Sequence, residues 1–351
     1  MKAQLRLLVL ADKVSATQYI SFEQALAEAV TDGSVELTMA SDDKAWDAMP
    51  ACAELWECVR PEALVLSRYS EPRAMNFVGL ARARGVPVVF HIDDDLLDVP
   101  ESLGPAKFEF YRQPQRLAAL RAAMEAADLV YASTPALAER LRAHGIRTPV
   151  QHGELYCSVD PACMAPPLPA TGPVVGYMGT SGHSQDLALA LPALERLMRE
   201  VPQLRFETFG TIKPPPELAI FGDRCSSHEG VADYGAFVDK LCTLGWWVGL
   251  APLEANGFNR CKADTKWVEY SFAGITTVAS DLPVYHRACA AGAGWLAATS
   301  EAWYSALEAL IRNAGLRRRS VEAARQRLRE TYARPLLQRQ VLRIMDRARQ
   351  R

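Results

Sequence analysis

The sequence has no apolar run long enough to cross a bilayer. The first apolar stretch, residues 5–11, is also too short for the apolar region of a signal peptide and its cleavage site. A membrane-spanning helix needs about 20 consecutive apolar residues, and no later segment approaches that length. We therefore expect a cytoplasmic protein.

Cysteine motifs are also missing. The eight cysteines are scattered, form no CxxC pair and have no clustered histidine partners. This spacing argues against a zinc site and against a disulfide framework, and it favours cysteines that act as small buried hydrophobic residues. No tract is biased enough to indicate disorder, and 351 residues suit two domains rather than one.

Charge is nearly balanced overall, at −2, but it is unevenly distributed. Residues 312–351 hold thirteen arginines and three acidic residues, a net charge of +10, so the rest of the chain carries −12. Leucine, valine and isoleucine recur in this tail at roughly helical spacing, which predicts helices with one packed face and one solvated basic face. Peripheral contact with an anionic membrane is an alternative for the basic face, whereas nucleic acid is not an expected partner.

Short apolar segments alternate with amphipathic segments in the first half of the chain. Strands are predicted at residues 5–10, 35–39, 63–66, 86–91 and 129–132, with helices between them. Ser133-Thr134-Pro135 supplies a cap and a first-turn proline for the helix that follows the last of these strands. Strand–helix alternation of this kind predicts a parallel sheet covered by helices on both faces.

The alternation stops at a proline-rich segment and then restarts. Strands are predicted again at residues 174–178, 205–209, 224–228, 246–250 and 276–279. We therefore predict an α/β protein with two Rossmann-like, doubly wound domains that face each other across a cleft. The predicted parts are an N-terminal acceptor-side domain at 1–160, a linker at 161–173, a C-terminal nucleotide-sugar domain at 174–334, and a helix at 335–351 that packs back on the first domain.

A glycine-rich turn follows the first strand of the second domain. It contains Gly179, Thr180 and His183 and precedes a helix. Glycines let backbone N–H groups approach a phosphate closely, and the N-terminus of a helix favours negative charge. A plain strand-to-helix turn is the alternative interpretation.

Two lysines and a glutamate follow the predicted strand at 246–250. If Lys262 begins a helix, then Lys262, Lys266 and Glu269 share one face of it. Two ammonium groups can neutralise a diphosphate, and a carboxylate one turn later can accept hydrogen bonds from both hydroxyls of a ribose. An exposed, ion-paired helix face is the other possibility.

Three carboxylates lie just beyond the strand at 86–91, separated from His91 by a single isoleucine. Asp93, Asp94 and Asp95 cannot all be buried in ion pairs cheaply, so we expect them to face a cleft, a cation or solvent. Recognition of a hydroxylated acceptor by Asp93 and Asp94, with proton handling by His91, is the functional interpretation. An acidic cap on a strand end is the structural one. Because neighbouring side chains diverge, the run is a weak metal site.

These segments together resemble a known family. GYMGTSGHSQDL and LAPLEANGFNRCKADTKWVEYSFAGITTVASDLPVY look like the C-terminal domain of bacterial retaining glycosyltransferases of family four, which have the GT-B fold. HIDDDLLDVP looks like the corresponding N-domain segment of one branch. The resemblance implies that Lys262 holds the diphosphate of a sugar nucleotide, that Glu269 binds its ribose, and that His91 lies near the reacting sugar.

One position departs from that pattern. Many members carry a donor-sugar-binding glutamate where this chain has Cys261, and we expect Asn259 and Arg260 to substitute for it. The predicted activity is transfer of a sugar from a nucleotide-diphosphate donor to a glycan, lipid-linked or protein acceptor, with retention and with neither metal nor cofactor. The alternatives are a non-catalytic sugar-nucleotide-binding subunit, and a sugar-nucleotide epimerase or hydrolase of the same fold.

Overall fold

The structure, a computed structural model, describes residues 4–164 and 172–350. Its strands form two parallel six-stranded sheets, one in each half of the chain, which confirms the predicted α/β fold class. Residues 165–171 of the predicted linker lie outside the described residues.

The first sheet is built from residues 5–152. Its strands are β1 (Leu5–Ala11), β2 (Val35–Ser41), β3 (Ala63–Ser67), β4 (Val88–Ile92), β5 (Leu129–Ala132) and β6 (Val150–His152). Its helices are α1 (Ala16–Gln18), which continues through a π-helical turn (Tyr19–Glu23) into α2 (Gln24–Thr31), then α3 (Met49–Val59), α4 (Ala74–Ala83), α5 (Pro105–Arg112), α6 (Pro114–Ala126) and α7 (Pro135–Ala143).

The second sheet repeats this layout. Its strands are β7 (Val174–Gly179), β8 (Arg205–Gly210), β9 (Cys225–His228), β10 (Val248–Ala251), β11 (Thr276–Ser280) and β12 (Trp295–Ala297). The helices that follow β7 are α8 (Ser184–Ala188), α9 (Leu191–Glu200), α10 (Tyr234–Thr243), α11 (Gly257–Arg260), α12 (Thr265–Phe272), α13 (Pro283–Cys289), α14 (Ser300–Arg312), α15 (Ala314–Thr331) and α16 (Arg334–Arg349). Short 3₁₀ turns complete both halves.

Strand order determines where each sheet opens. The first sheet runs β2-β1-β3-β4-β5-β6, and the second runs β9-β8-β7-β10-β11-β12. The order in which strands are added reverses at β1/β3 in the first sheet and at β7/β10 in the second. Ligands of doubly wound sheets bind beyond the carboxyl ends of the strands at such switch points. The loops that follow β1, β3, β7 and β10 therefore set the walls of the cleft.

Local signals placed most element boundaries well. Thr134 caps α7, because its hydroxyl accepts a hydrogen bond from the Leu137 amide at 3.1 Å and Pro135 occupies the first turn, as predicted. The exceptions are β6 and β12, which the sequence did not reveal, because three-residue edge strands carry too few side chains to show a period.

The helix after β10 begins later than predicted. Lys262 does not open it: α12 starts at Thr265, and Lys262 lies in the connection between α11 and α12. Its ammonium reaches the cleft from that connection, so Lys262, Lys266 and Glu269 do not share a single helix face.

The terminal helix α16 packs against α2 and β4 of the first half, although it is the last element in sequence. Leu337, Val341, Ile344 and Met345 are buried in one apolar cluster together with Leu26 of α2. The side-chain oxygen of Gln340 accepts hydrogen bonds from the Glu154 and Leu155 amides at 2.7 and 3.1 Å. The first half is thus completed by the C-terminus.

Candidate functional site

The carboxyl ends of the two sheets face a cavity of about 660 Å³. Eight of the predicted site residues line it: Asp93, Asp94, Gly179, Thr180, His183, Lys262, Lys266 and Glu269. His91, Asn259 and Arg260 do not line it. The volume lies within the range of about 300–1,000 Å³ that small-molecule sites occupy.

The three adjacent carboxylates separate into different environments. The Asp93 carboxylate is buried and accepts hydrogen bonds from Thr17, Tyr156 and Arg68 at 2.9, 2.8 and 2.8 Å. Asp95 turns away from the cleft and is fully buried against Arg140 and His144. The expectation that all three face a cleft, cation or solvent is therefore wrong for Asp95, because α7 brings Arg140 to its carboxylate.

Asp94 forms an ion pair across the cleft. Its Oδ1 lies 3.1 Å from Nζ of Lys262, so the pair joins the two halves of the molecule. Burial alone would raise the pKa of the Asp94 carboxyl, but Lys262 and Arg68 outweigh burial and lower the pKa to about 2. Asp94 is therefore ionised at neutral pH and holds the Lys262 ammonium when no ligand competes for it.

His91 lies beneath this acidic wall rather than on it. Its imidazole is buried, contacts the Phe22 ring edge-on, and shares a 2.9 Å hydrogen bond with the Ser67 hydroxyl. Burial lowers the pKa of His91 to about 4, so the ring is neutral at neutral pH. His91 does not line the cavity, so its position suits a residue that orients the carboxyl end of β4 from below.

The glycine turn brings the halves close together. A Cβ at Gly182 would overlap the Leu103 carbonyl oxygen of the first half, so glycine is required there by the approach of two backbones. The Ser181 amide already donates to the Thr211 hydroxyl at 3.0 Å, and the His183 amide donates to the Thr180 carbonyl at 3.0 Å. These two N–H groups are not available to a phosphate, so the turn offers fewer donors than its glycine content implied.

His183 is held in one orientation by Asp186. Nδ1 of the imidazole lies 2.9 Å from Asp186 Oδ2. Burial acts to raise the pKa of Asp186, but hydrogen bonds from His183 and from the Glu254 amide outweigh burial and lower that pKa. This carboxylate is therefore ionised at neutral pH. Burial and the nearby lysines lower the pKa of His183 to about 4. The shared proton therefore lies on Nδ1, and Nε2 keeps a free lone pair that can accept a hydrogen bond from a hydroxyl.

Lys266 and Glu269 form the opposite wall. Burial lowers the pKa of Lys266 and raises the pKa of Glu269 to about 7. The opposite charge of each side chain partly offsets the shift of the other. The Tyr234 hydroxyl also hydrogen-bonds to the Glu269 carboxylate. In the parts of the chain that the structure describes, no carboxylate lies within ion-pair distance of the Lys266 ammonium. The Glu269 and Asp186 carboxylates act on this ammonium only from beyond that distance, so a closer anion could still pair with it.

The residues around Cys261 stand apart from the cavity. Asn259 is buried and donates hydrogen bonds to Asp186 Oδ1 and the Glu254 carbonyl at 3.1 and 3.2 Å, so it braces the wall from behind. Arg260 is exposed. The Cys261 thiol is buried, donates to the Gly257 carbonyl, and has a pKa raised to about 11 by burial. Neither Arg260 nor Cys261 lines the cavity.

Sequence reasoning missed several residues of the cavity. Tyr156 and Tyr234 line it, and Arg68 hydrogen-bonds to Asp93 of its lining. Only Arg68 carried a signal, because it directly follows β3 at the switch point of the first sheet. The two tyrosines reach the cavity from distant segments that show no local motif.

Within residues 4–164 and 172–350, no group of three or more histidine, cysteine, aspartate or glutamate side chains is arranged to hold a metal ion. No helix in the same residues combines the length and apolar character that crossing a membrane requires.

Three solved structures illustrate what this chain is similar to. Anabaena HepE in complex with UDP-glucose matches with a TM-score of 0.68 at 12% identity, covering 97% of this chain and 99% of that one. Sucrose-phosphate synthase from Thermosynechococcus elongatus matches with a TM-score of 0.65 at 14% identity, covering 97% and 98% of the two chains. A glycosyltransferase from Rickettsia africae ESF-5 matches with a TM-score of 0.64 at 12% identity, covering 98% of each chain.

Sequence comparison adds nothing to this structural likeness. No protein-family model matches the chain, and no curated protein matches it. At such low identities the likeness shows the fold alone. The chain therefore has the GT-B fold, with two doubly wound halves that face each other across a cleft.

Proposed function

We propose that this protein is a retaining, metal-independent glycosyltransferase of the family-four type, a hexosyltransferase that uses a nucleotide-diphosphate sugar. The observation that carries the proposal is the convergence of Lys262, Lys266 and Glu269 on one cavity at the switch point of the second sheet. A structure of similar fold contains UDP-glucose. The acceptor in this proposal is a hydroxyl group of a glycan, a lipid-linked sugar or a protein.

The two lysines suit a diphosphate. An ionised oxygen that receives hydrogen bonds from ammonium groups forms stronger contacts than a neutral one. Lys262 pairs with Asp94 at 3.1 Å, and no carboxylate lies within ion-pair distance of Lys266 among the described residues. A diphosphate would therefore give Lys266 a close anionic partner and compete with Asp94 for Lys262.

Glu269 and His183 suit hydroxyl groups. An ionised Glu269 accepts hydrogen bonds from a ribose, and the free lone pair of His183 Nε2 accepts one from a hydroxyl of the donor sugar. Transfer breaks the bond from the anomeric carbon to the diphosphate oxygen and forms a bond from that carbon to the acceptor oxygen. A nucleoside diphosphate and a proton are released. The lysines stabilise the negative charge that develops on the leaving group.

Nucleotide binding is the first test. We expect one of UDP-, GDP- or dTDP-glucose to raise the melting temperature of the wild-type protein, and Lys266→Gln to reduce that shift. Lys240→Gln is the matched control, because Lys240 is an exposed lysine on α10, and this variant should keep the wild-type shift in melting temperature. If no nucleotide or sugar nucleotide stabilises the wild type at millimolar concentration, the proposal fails.

Metal independence has its own test. Because lysines supply the positive charge at the diphosphate in this proposal, EDTA should leave transfer unchanged. A requirement for Mn²⁺ or Mg²⁺ would show that the charge is supplied by an ion instead.

A second candidate is a non-catalytic sugar-nucleotide-binding subunit. It is favoured by Cys261, which is buried at the position where the resemblance places a donor-sugar-binding glutamate. Incubation with donor and a panel of acceptors separates the candidates: binding without turnover favours the subunit. Rapid release of free nucleotide with no acceptor favours a hydrolase, and transfer to any acceptor supports the enzyme proposed here.

A further inference from the structure

A second cavity of about 350 Å³ adjoins the first and shares Asp94, His183 and Lys262 with it. Most of its other lining comes from the first half: from Arg68 directly after β3, from the loop after β4, and from α5. Its apolar and aromatic lining residues are Leu96, Val99, Leu103, Ala106, Phe110, Tyr111 and Phe258. The donor-side role proposed for the large cavity does not use this space.

Aromatic rings form much of the second cavity's wall. The rings of Phe110 and Tyr111 pack edge to face with centroids 5.0 Å apart, and the Tyr111 hydroxyl accepts a hydrogen bond from Arg68 at 3.4 Å. Phe258, on the second half, lies with its ring centroid 4.7 Å from the Lys262 ammonium. Aromatic faces beside polar groups suit a pyranose, since a sugar ring presents C–H groups on its faces and hydroxyls around its edge.

Positive charge exceeds negative charge in this lining. Arg68, Lys107 and Lys262 contribute three cations, and Asp94 is the single carboxylate that faces them. Asp94 is shared between Arg68 at 3.5 Å and Lys262 at 3.1 Å, and Asp93, which lies outside this lining, also pairs with Arg68 at 2.8 Å, so three cations meet two carboxylates. Lys107 has no carboxylate within ion-pair distance in the described parts of the chain. Lys107 is exposed at the rim of this cavity, where partial desolvation and the nearby Lys262 charge lower its pKa, and an anion in the cavity would reduce that repulsion.

We propose that this second cavity binds the sugar acceptor and that the acceptor is anionic, carrying a carboxylate or phosphate that Lys107 recognises while its ring packs on the aromatic wall. The inference rests on the proposed glycosyltransferase function. The shared residues Asp94, His183 and Lys262 place an acceptor hydroxyl at the junction with the donor cavity. Its oxygen forms the new bond to the anomeric carbon as the nucleoside diphosphate and a proton leave.

Binding to the nucleotide-loaded protein tests the inference without knowledge of the natural acceptor. Three probes share one pyranose ring and differ at C6, which is neutral, a carboxylate or a phosphate: methyl glucopyranoside, methyl glucuronide and methyl glucopyranoside 6-phosphate. We expect at least one anionic probe to bind about 10-fold more tightly than the neutral one, as measured by calorimetry at saturating nucleoside diphosphate. The two anionic arms distinguish a uronic acid from a phosphorylated sugar.

Variants of α5 assign the preference to Lys107. Lys107→Gln should abolish the preference for the anion, and Lys107→Arg should retain it. Arg112→Gln is the matched control, because Arg112 is an exposed cation on the same helix that stacks on Phe108 instead of lining the cavity. Phe110→Leu should weaken all three probes to a similar extent, which would report the aromatic wall separately from the charge.

Three results overturn the inference. The first is a neutral probe that binds as tightly as both anionic probes. The second is a lack of competition between the probes, which would mean that they do not share one site. The third is a Lys107→Gln variant that weakens nucleotide binding and leaves probe binding unchanged, which would assign Lys107 to the donor diphosphate. In each case nucleotide binding that still depends on Lys266 would leave the proposed function intact, whereas absence of any nucleotide binding would remove that function itself.

Discussion

The two walls of the cleft belong to sheets of the same kind, but their polar side chains are satisfied to different degrees. On the first wall, Asp93 receives hydrogen bonds from three side chains of its own half, Thr17, Arg68 and Tyr156. On the second wall, no carboxylate lies within ion-pair distance of Lys266 in the described residues. Burial lowers the pKa of Lys266 and raises the pKa of Glu269, so it favours the neutral form of each side chain.

That difference has a physical consequence for binding. A satisfied group gains little from a ligand, whereas a desolvated charge without a partner gains the most from one. The second wall is therefore the better candidate for the tightly bound, charged donor, and the first wall for an acceptor that is positioned rather than held strongly. The following predictions test this contrast.

The largest expected effect is on the stability of the first half. Deleting residues 335–351 removes α16 and exposes the apolar cluster it shares with α2. Each buried apolar side chain contributes about 1.5–3 kcal/mol, and net stability is only about 5–15 kcal/mol. We expect the first half to lose cooperative unfolding in calorimetry while the second half keeps a transition.

A matched change on the same helix separates packing from charge. Arg339, Arg343 and Arg347 are exposed on α16, so replacing all three with Gln should leave the melting temperature unchanged. The triple variant should instead bind anionic vesicles more weakly, if the basic face contacts a membrane. A deletion that melts like the wild type would contradict the packing role.

The next largest effect is on transfer through the second wall. Lys262→Gln removes an ammonium from the leaving group, and loss of one such preorganised donor typically lowers kcat about 10²-fold. Lys262→Arg should recover part of the activity because it keeps the charge. If Lys262→Gln changes neither the dissociation constant of the nucleotide nor the rate of transfer, the assignment of the donor wall is wrong.

A smaller effect is expected from the first wall. Asp94→Asn releases Lys262 from its ion pair, so nucleotide affinity should stay constant or increase slightly, while transfer falls about 10-fold, equivalent to ~1.4 kcal/mol. Asp98→Asn is a control in the same segment, with an exposed carboxylate. A drop in nucleotide affinity in Asp94→Asn, with the fold intact, would place Asp94 on the donor side.

The smallest effect is a pH dependence of stability from Glu269. Its pKa is raised to about 7 in the folded protein by burial, so the native state binds this proton more tightly than the unfolded chain does. Stability from this group should therefore be present at low pH and fall as the pH rises from the ordinary glutamate value to about 7. Glu269→Gln should flatten the decline, by about 3 °C in melting temperature.

The matched control for this pH series is Glu254→Gln. Glu254 lies in the loop after β10 and is only half-buried, so this variant should follow the wild-type decline. A wild-type protein whose melting temperature is flat between pH 5 and pH 8 would mean that Glu269 is better solvated than the structure shows.

Local sequence patterns carried much of the fold and part of the site. Alternation of apolar strands with amphipathic segments predicted both parallel sheets, and Gly179, Lys262, Lys266 and Glu269 were identified as candidates because they follow strand ends. These inferences succeed because strand period, turn residues and the carboxyl edge of a parallel sheet are set by neighbouring residues.

Tertiary structure decided the rest. The ion pair of Asp94 with Lys262 joins positions 168 residues apart, and the burial of Asp95 depends on Arg140 from a different helix. The return of α16 to α2 likewise completes a core from opposite ends of the chain. A sequence states which side chains are charged or apolar, but which partner each one meets depends on how distant strands order themselves, and that order also fixed which carboxylates face the cleft.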